Sequence, residues 1–132
     1  MTVVVDISVL AAVVLGEPDA EAYLGVMQRA IGELTLSAAT LVEASIVVEA
    51  KQGPDAAADL ATLLTSLAVE TVPVDAAQAA MAVAAWRRFG KGRHPAALNV
   101  GDCFAYALAT TSGARLLFKG QDFTQTDVSS AL

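Results

Sequence analysis

Four acidic residues carry most of the chemistry open to this chain: Asp6, Glu43, Asp102 and Asp122. Asp6 follows Val3-Val4-Val5. Three β-branched residues in a row suit a strand buried on both faces, so Asp6 stands at its carboxyl end. Glu43, in "ATLVEASIVVEA", falls in the first turns of a helix that follows another predicted strand. Asp102, in "LNVGDCFAYALA", lies in the first turn of a further helix, and Asp122, in "LLFKGQDF", just past the carboxyl end of a last strand. Each has an ordinary use by itself. Asp6 and Asp102 suit helix starts through capping and the helix dipole, Glu43 suits a solvated helix face, and Asp122 suits a loop. Together they occupy equivalent ends of strand–helix units. Two unit charges 4 Å apart repel by about 4 kcal/mol at an effective dielectric near 20. Carboxylates converging on one cleft therefore need protons or cations, and all-oxygen donors suit Mg²⁺ or Mn²⁺ rather than zinc.

Composition removes several other chemistries. With one cysteine, Cys103, and one histidine, His94, there is no Cys/His zinc set and no internal disulfide. Cys103 sits in an apolar context that suits packing. No G-x-S-x-G elbow, Walker loop or G-x-G-x-x-G occurs. The hydrophobic fraction is 55%, but charges break it up, and no apolar run reaches the ~20 residues of a membrane span. No export signal is evident, so a cytoplasmic protein with no membrane partner is expected.

The elements that must position the acids alternate in type. Strand is predicted over 3–6, in "LTLSA", in "VETVPV" and in "RLLF". Pro73 places the third of these at an edge or an end. Helices are predicted over 8–15, 19–31, from Ser37 or Thr40 to about Lys51, from Pro54 onward, 75–89 and 100–111. Leu60, Leu63, Leu64 and Leu67 give the fourth helix one apolar face. The alternation predicts an α/β fold: one domain over 1–132, an open, mainly parallel sheet with helices on both faces. Ligands of such sheets bind beyond the carboxyl ends of the strands, where these acids fall.

The net charge of −6 argues at first against a nucleic-acid partner. Its distribution weakens that objection. Four of the eight Lys and Arg residues, Arg87, Arg88, Lys91 and Arg93, lie in "RRFGKGRHP", and a local basic segment can grip phosphates. A solvated helix end and loop is the plainer use of the same residues.

The stretches "VVVDISVLAAVVLGEPDA", "LVEASIVVEA", "RRFGKGRHPAALNVGDCFAYALA" and "LLFKGQDFTQTDV" resemble, in order and over almost the whole chain, PIN-domain proteins and among them the VapC-type toxins of toxin–antitoxin pairs. The resemblance implies a Mg²⁺-dependent endoribonuclease, with Mn²⁺ as a substitute, whose metal-binding and catalytic acids are Asp6, Glu43 and Asp102. It further implies a VapB-type antitoxin and a homodimer, for which the Ala-rich helix from Ala76 to Ala85 offers close packing. Two departures are visible. The family's usual Asp-Thr-Ser reads Asp6-Ile7-Ser8 here, and Gly120 stands where many members have an Asp. Asp122 is then the nearest acid, as a catalytic residue in an outer shell. Ser8 and Asn99 suit the orientation of carboxylates, and Arg87, Arg88, Lys91 and Arg93 suit the RNA backbone.

Two rival functions share this pattern: a metal-dependent nuclease acting on DNA, and a binding module of the same fold without turnover. The small size leaves no room for DNA-threading elements, and the complete acid set disfavours a module without catalysis. Neutralising Arg87, Arg88, Lys91 and Arg93 together should weaken RNA binding and flatten its salt dependence, by about 0.7 in log–log slope for each phosphate no longer neutralised. A slope equal to the parent's, measured by fluorescence anisotropy on single-stranded RNA, would show that these residues face elsewhere.

Overall fold

Strand β1 (Val3–Val5) is the hinge of the architecture. The computed structural model describes residues 2–132. After β1 come α1 (Ile7–Val14), α2 (Ala20–Arg29), β2 (Leu34–Ser37), α3 (Ala38–Gln52), α4 (Pro54–Ser66), β3 (Glu70–Val72), α5 (Ala76–Phe89), α6 (Val100–Ser112) and β4 (Arg115–Leu117). The sheet order is β3-β2-β1-β4 and every pairing is parallel. Val3 pairs with Leu34 on one side and Arg115 on the other. The chain thus winds outward from β1 through β2 to β3, then crosses back to lay β4 on the other side of β1. The direction of winding reverses between β1 and β4, and a crevice opens there beyond the strands' carboxyl ends.

The alternation of side chains along β1 divides the core in two. Val4 and Leu116 enter an apolar cluster with Ala82, Ala85 and Phe89 of α5 and with Tyr106 and Leu108 of α6. Val3, Val5 and Leu117 enter the opposite cluster, with Leu10 of α1, Met27 of α2, Val48 of α3 and Leu60 of α4. Helices therefore cover both faces, as the alternating pattern predicts. The strands are shorter than the sequence suggests. The third predicted strand, "VETVPV", yields only Glu70–Val72, an edge strand that stops before Pro73, because proline has no N–H for a ladder.

Helix starts follow local chemistry. Asp6, Ser37, Asp75 and Asn99 are the N-caps of α1, α3, α5 and α6, each accepting from a backbone N–H of the first turn. Gly53 (φ 86°) separates α3 from α4, and Pro54 opens α4. Gly113, at φ 63°, ends α6 in the left-handed conformation that glycine adopts without penalty. Beyond β4, the tail folds back on that strand: Leu116 N–H donates to the Ser129 carbonyl at 2.8 Å and Ala131 N–H to the Leu116 carbonyl at 3.0 Å. Asp127 clips the tail to the helices, accepting from the Tyr106 hydroxyl at 2.6 Å and from Arg88 at 3.1 Å. Among the described residues no helix is long and apolar enough to cross a membrane.

Candidate active site

Asp6 stands where β1 ends and α1 begins, with only 3% of its surface exposed. Its backbone N–H donates to the Leu117 carbonyl of β4 at 2.9 Å, which seats it at the β1/β4 crevice. One carboxylate oxygen, Oδ2, accepts from Ser8 N–H at 3.1 Å and from the Ser8 hydroxyl at 2.5 Å. The Ser8 oxygen in turn accepts from Lys119 N–H at 2.9 Å. Ser8 thus links the acid after β1 to the chain leaving β4. Asp6 is both a helix cap and a rim acid, so capping leaves room for a chemical use.

Asp102 is the third residue of α6 and equally buried, at 4% exposure. It forms a capping box with Asn99. Asn99 N–H donates to Asp102 Oδ2 at 3.0 Å, and Asp102 N–H donates to Asn99 Oδ1 at 2.8 Å. Asn99 therefore fixes the Asp102 carboxylate through its backbone as well as through its side chain. Glu43 lies on α3, half-buried, near Asp6 and against the first turn of α6. Asp122 is exposed beyond β4, within hydrogen-bonding reach of the Asp102 carboxyl.

The electrostatics reflect this convergence. Burial pushes the Asp6 carboxyl above the usual range, against the lowering effect of its bonds from Ser8 and Ile7, and the Asp122 charge adds to the rise. Glu43 is raised by burial and then by Asp6. Asp102 is pushed up to about 7, chiefly by burial, with Asp6 and Asp122 adding to it and the Asn99 N–H opposing it. Cys103 is buried beside Asp102, and burial followed by that charge lifts its thiol to about 11. It stays protonated and packs in the core. His94 is occupied in a turn, its Nδ1 accepting from Ala96 N–H at 3.0 Å and its ring meeting Phe89 edge-on.

Three buried side-chain oxygens have no hydrogen-bond partner among the described residues: Asp6 Oδ1, Glu43 Oε1 and Thr40 Oγ1. Thr40 and Glu43 are three apart on α3 and so share a face. Orphaned buried oxygens of this kind call for an ion or water. Among the described residues no three His, Cys, Asp or Glu side chains stand close enough to hold one ion together. A divalent ion that keeps several of its waters needs only one or two protein carboxylates. Thr40 is the member that sequence reasoning misses as a site residue. Its visible signal, a threonine in the first turn of a helix, is shared by many caps, and Ser37 takes the cap here.

The basic residues divide. Arg88 is paired with Asp127 on the surface, an interaction worth about 0–1 kcal/mol. Arg93 stacks over Trp86, 4.7 Å from the ring centroid, and its Nε donates to the Arg87 carbonyl at 3.2 Å. Arg87 and Lys91 are exposed. The loop that carries Lys91 and Arg93 leads directly into the Asn99 cap and Asp102. Sequence reasoning also passes over Lys119, whose ammonium is held by Glu17 and Asp19 at 2.5 and 2.9 Å.

Comparison with known proteins bears on the family and the fold. The PIN-domain family model matches residues 3–129. A ribonuclease VapC of Mycolicibacterium smegmatis is 45% identical over 130 residues, covering 96% of this chain and 98% of that protein. Ribonuclease VapC30 of Mycobacterium tuberculosis is 45% identical over 127 residues and covers 96% of each chain. A solved structure, VapC20 of Mycobacterium tuberculosis, a sarcin–ricin loop cleaving toxin, shares the fold at TM-score 0.75 over 96% of both chains with 19% identity. The chain belongs to the PIN-domain family, and within it to the VapC ribonucleases.

Asp6, Glu43 and Asp102 all bind a proton more tightly in the folded chain than in the unfolded one. Their contribution to stability is therefore greatest below the ordinary carboxylate range and is lost as pH rises through their raised values, about 7 for Asp102. In EDTA the melting temperature is expected to fall between about pH 5 and about pH 8. Asp102→Asn, which keeps the capping geometry without the charge, should flatten that fall and melt higher than the parent at the alkaline end. Differential scanning calorimetry checks this, and an unaltered pH profile in the variant would remove Asp102 as a source of the strain.

Proposed function

We propose that this chain is the endoribonuclease toxin of a VapBC-type toxin–antitoxin pair, hydrolysing RNA phosphodiester bonds with Mg²⁺, or Mn²⁺ in its place, at the Asp6–Glu43–Asp102 rim. The observation that carries the reading is the pair of orphaned, buried carboxylate oxygens on Asp6 and Glu43 at the β1/β4 crevice. The names of the relatives support ribonuclease activity and an antitoxin partner. Of the three rim acids that would serve the metal, Asp6 and Asp102 would hold it directly and Glu43 through a bound water, and Asp122 would act through water or by sharing a proton with Asp102. A divalent ion bound there supplies positive charge to the phosphate oxygens and lowers the pKa of the attacking water. Ser8 and Asn99 keep the Asp6 and Asp102 carboxylates oriented, a supporting role typically worth about 10–100-fold in metal affinity. Arg87 and Lys91 are free to hold the RNA backbone, with Arg93 beside them, while Arg88 must first leave Asp127. The site of action in this reading is the cytoplasm, where the antitoxin and the RNA are found.

The decisive experiment offers single-stranded RNA, and DNA of the same sequence, to the purified chain with Mg²⁺ and with EDTA. RNA cleavage that EDTA abolishes is expected, with Asp6→Asn reducing it by about a hundredfold or more while the fold persists. Equal cleavage of DNA would favour the rival nuclease, and RNA binding without cleavage the binding module.

Homodimerisation belongs to the same proposal. Its support is an apolar face across α3, α5 and α6, where Val42, Ile46, Val83, Trp86 and Val100 are 43–70% exposed. Solvent-facing apolar residues gathered in this way usually mark an interface. A dimer is expected by light scattering at tens of micromolar, with Val83→Lys shifting it toward monomer. A parent protein that is monomeric throughout that range sinks the dimer.

A further inference from the structure

Gly101 is a glycine that the backbone does not require. It lies in the first turn of α6 with ordinary helical geometry and is absent from the glycines at positive φ. Glycine is disfavoured at helical positions relative to alanine, so local conformation alone would select another residue. The explanation lies across the interface with α3. A Cβ built on Gly101 would fall within contact of Glu43 Oε1, 2.6 Å from Oε2 and 2.7 Å from Cδ. Ordinary contact between carbon atoms is about 3.5–4.0 Å. The three nearest heavy atoms are all from the Glu43 carboxyl group, and none is backbone. The volume that a methyl group would take at this position is therefore already filled by an acid side chain. At Gly90, by contrast, the nearest atom to such a Cβ is the backbone oxygen of Trp86.

We propose that Gly101 is a positioning residue for Glu43: its missing side chain is the socket that lets the carboxylate lie against the first turn of α6, one residue before Asp102. The inference rests on the metal-site reading above and adds to it the reason Glu43, on a different helix, keeps its place. The Glu43 carboxyl is the far end of a flexible side chain, so a methyl at position 101 displaces it by a change of rotamer and leaves the helix intact. Positioning and packing then predict opposite things. A packing glycine, when replaced, costs stability. A socket glycine, when replaced by alanine, leaves the metal-free fold as stable as before or more so, and weakens the site.

The test is a double-mutant cycle on the full chain, Gly101→Ala, Glu43→Ala and the pair, with Mn²⁺ as the probe. Two quantities are read for each: the melting temperature in EDTA, and the Mn²⁺ dissociation constant from electron paramagnetic resonance titration. Gly101→Ala is expected to melt at or above the parent temperature and to bind Mn²⁺ about tenfold or more weakly. In the Glu43→Ala background, the added Gly101→Ala change should leave Mn²⁺ affinity within about twofold, because the carboxylate it displaces is gone. The proposal is overturned if Gly101→Ala is unfolded or markedly less stable in EDTA, which would make the glycine a packing residue. It is also overturned if Gly101→Ala binds Mn²⁺ like the parent, or if its full effect on affinity persists without Glu43. A parent chain that binds no Mn²⁺ overturns the metal-site reading and this inference together, whereas normal binding by parent and variant alike overturns the inference alone.

Discussion

Mutual repulsion among carboxylates gathered at one rim is the constraint to which the rest of the molecule answers. Asp6 and Asp102 are nearly fully buried, Glu43 is half-buried beside them, and Asp122 adds its charge from outside. Two unit charges 4 Å apart repel by about 4 kcal/mol at an effective dielectric near 20, and acids gathered in their charged forms oppose folding in the same sense. The chain meets part of that cost with local dipoles. Asp6 and Asp102 each sit at a helix start, where the N–H groups of α1 and α6 face them. Among the described residues, the ion pairs formed are Arg88–Asp127, Lys119–Glu17 and Lys119–Asp19, none of them on Asp6, Glu43 or Asp102. The lysine nearest in sequence to Asp122 on the β4 side, Lys119, gives its ammonium to Glu17 and Asp19. The rim acids instead hold their protons more tightly than free carboxyls do.

Holding repelling groups in place takes a rigid support, and the two apolar clusters supply it. Every side chain of β1 is buried, with Val4 locked into one cluster and Val3 and Val5 into the other. Asp6 follows immediately, so its backbone has little freedom to retreat from the crevice. α6 is similarly fixed, with Cys103, Ala105, Tyr106, Ala107, Leu108 and Ala109 all buried. The acids thus ride on elements rather than on loops, which favours precise placement. The loop before α6 is folded tightly upon itself by bonds from Lys91, Arg93 and His94 N–H groups to Leu98 and Gly90 carbonyls. It carries its basic side chains on a frame continuous with Asp102.

Asp6 is legible in the sequence because three valines precede it and specify a strand ending at its position. Asp102 is legible because it falls in the first turn of a helix whose later positions are apolar, whereas its capping box with Asn99 is seen only in the structure. The α/β class follows from the alternation of short apolar runs with helical ones. The strand order does not, since nothing in "RLLF" states that it crosses back beside β1 rather than extending the sheet beyond β3. Arg88 reads in sequence as one of a basic group. Its partner, Asp127, is 39 residues away, a separation at which no local pattern operates. The Glu43 contact is hidden for the same reason: an α3 side chain and an α6 backbone meet only through the tertiary fold, and Gly101 in isolation looks like a mere weak point in a helix.

The crossing back of β4 has a temporal consequence. Ser8 and Lys119, whose bond joins the two lips of the crevice, are 111 residues apart in the chain. A ribosome extends from the amino end, so β1, β2 and β3 emerge with the pocket side of β1 still unpaired. The crevice has only one wall until β4 is synthesised and released from the exit tunnel. Loop closure over so long a span is slow relative to local helix formation. A nascent chain therefore carries Asp6, Glu43 and Asp102 in turn without possessing the site they build. The site is complete only once β4 has left the exit tunnel and paired with β1.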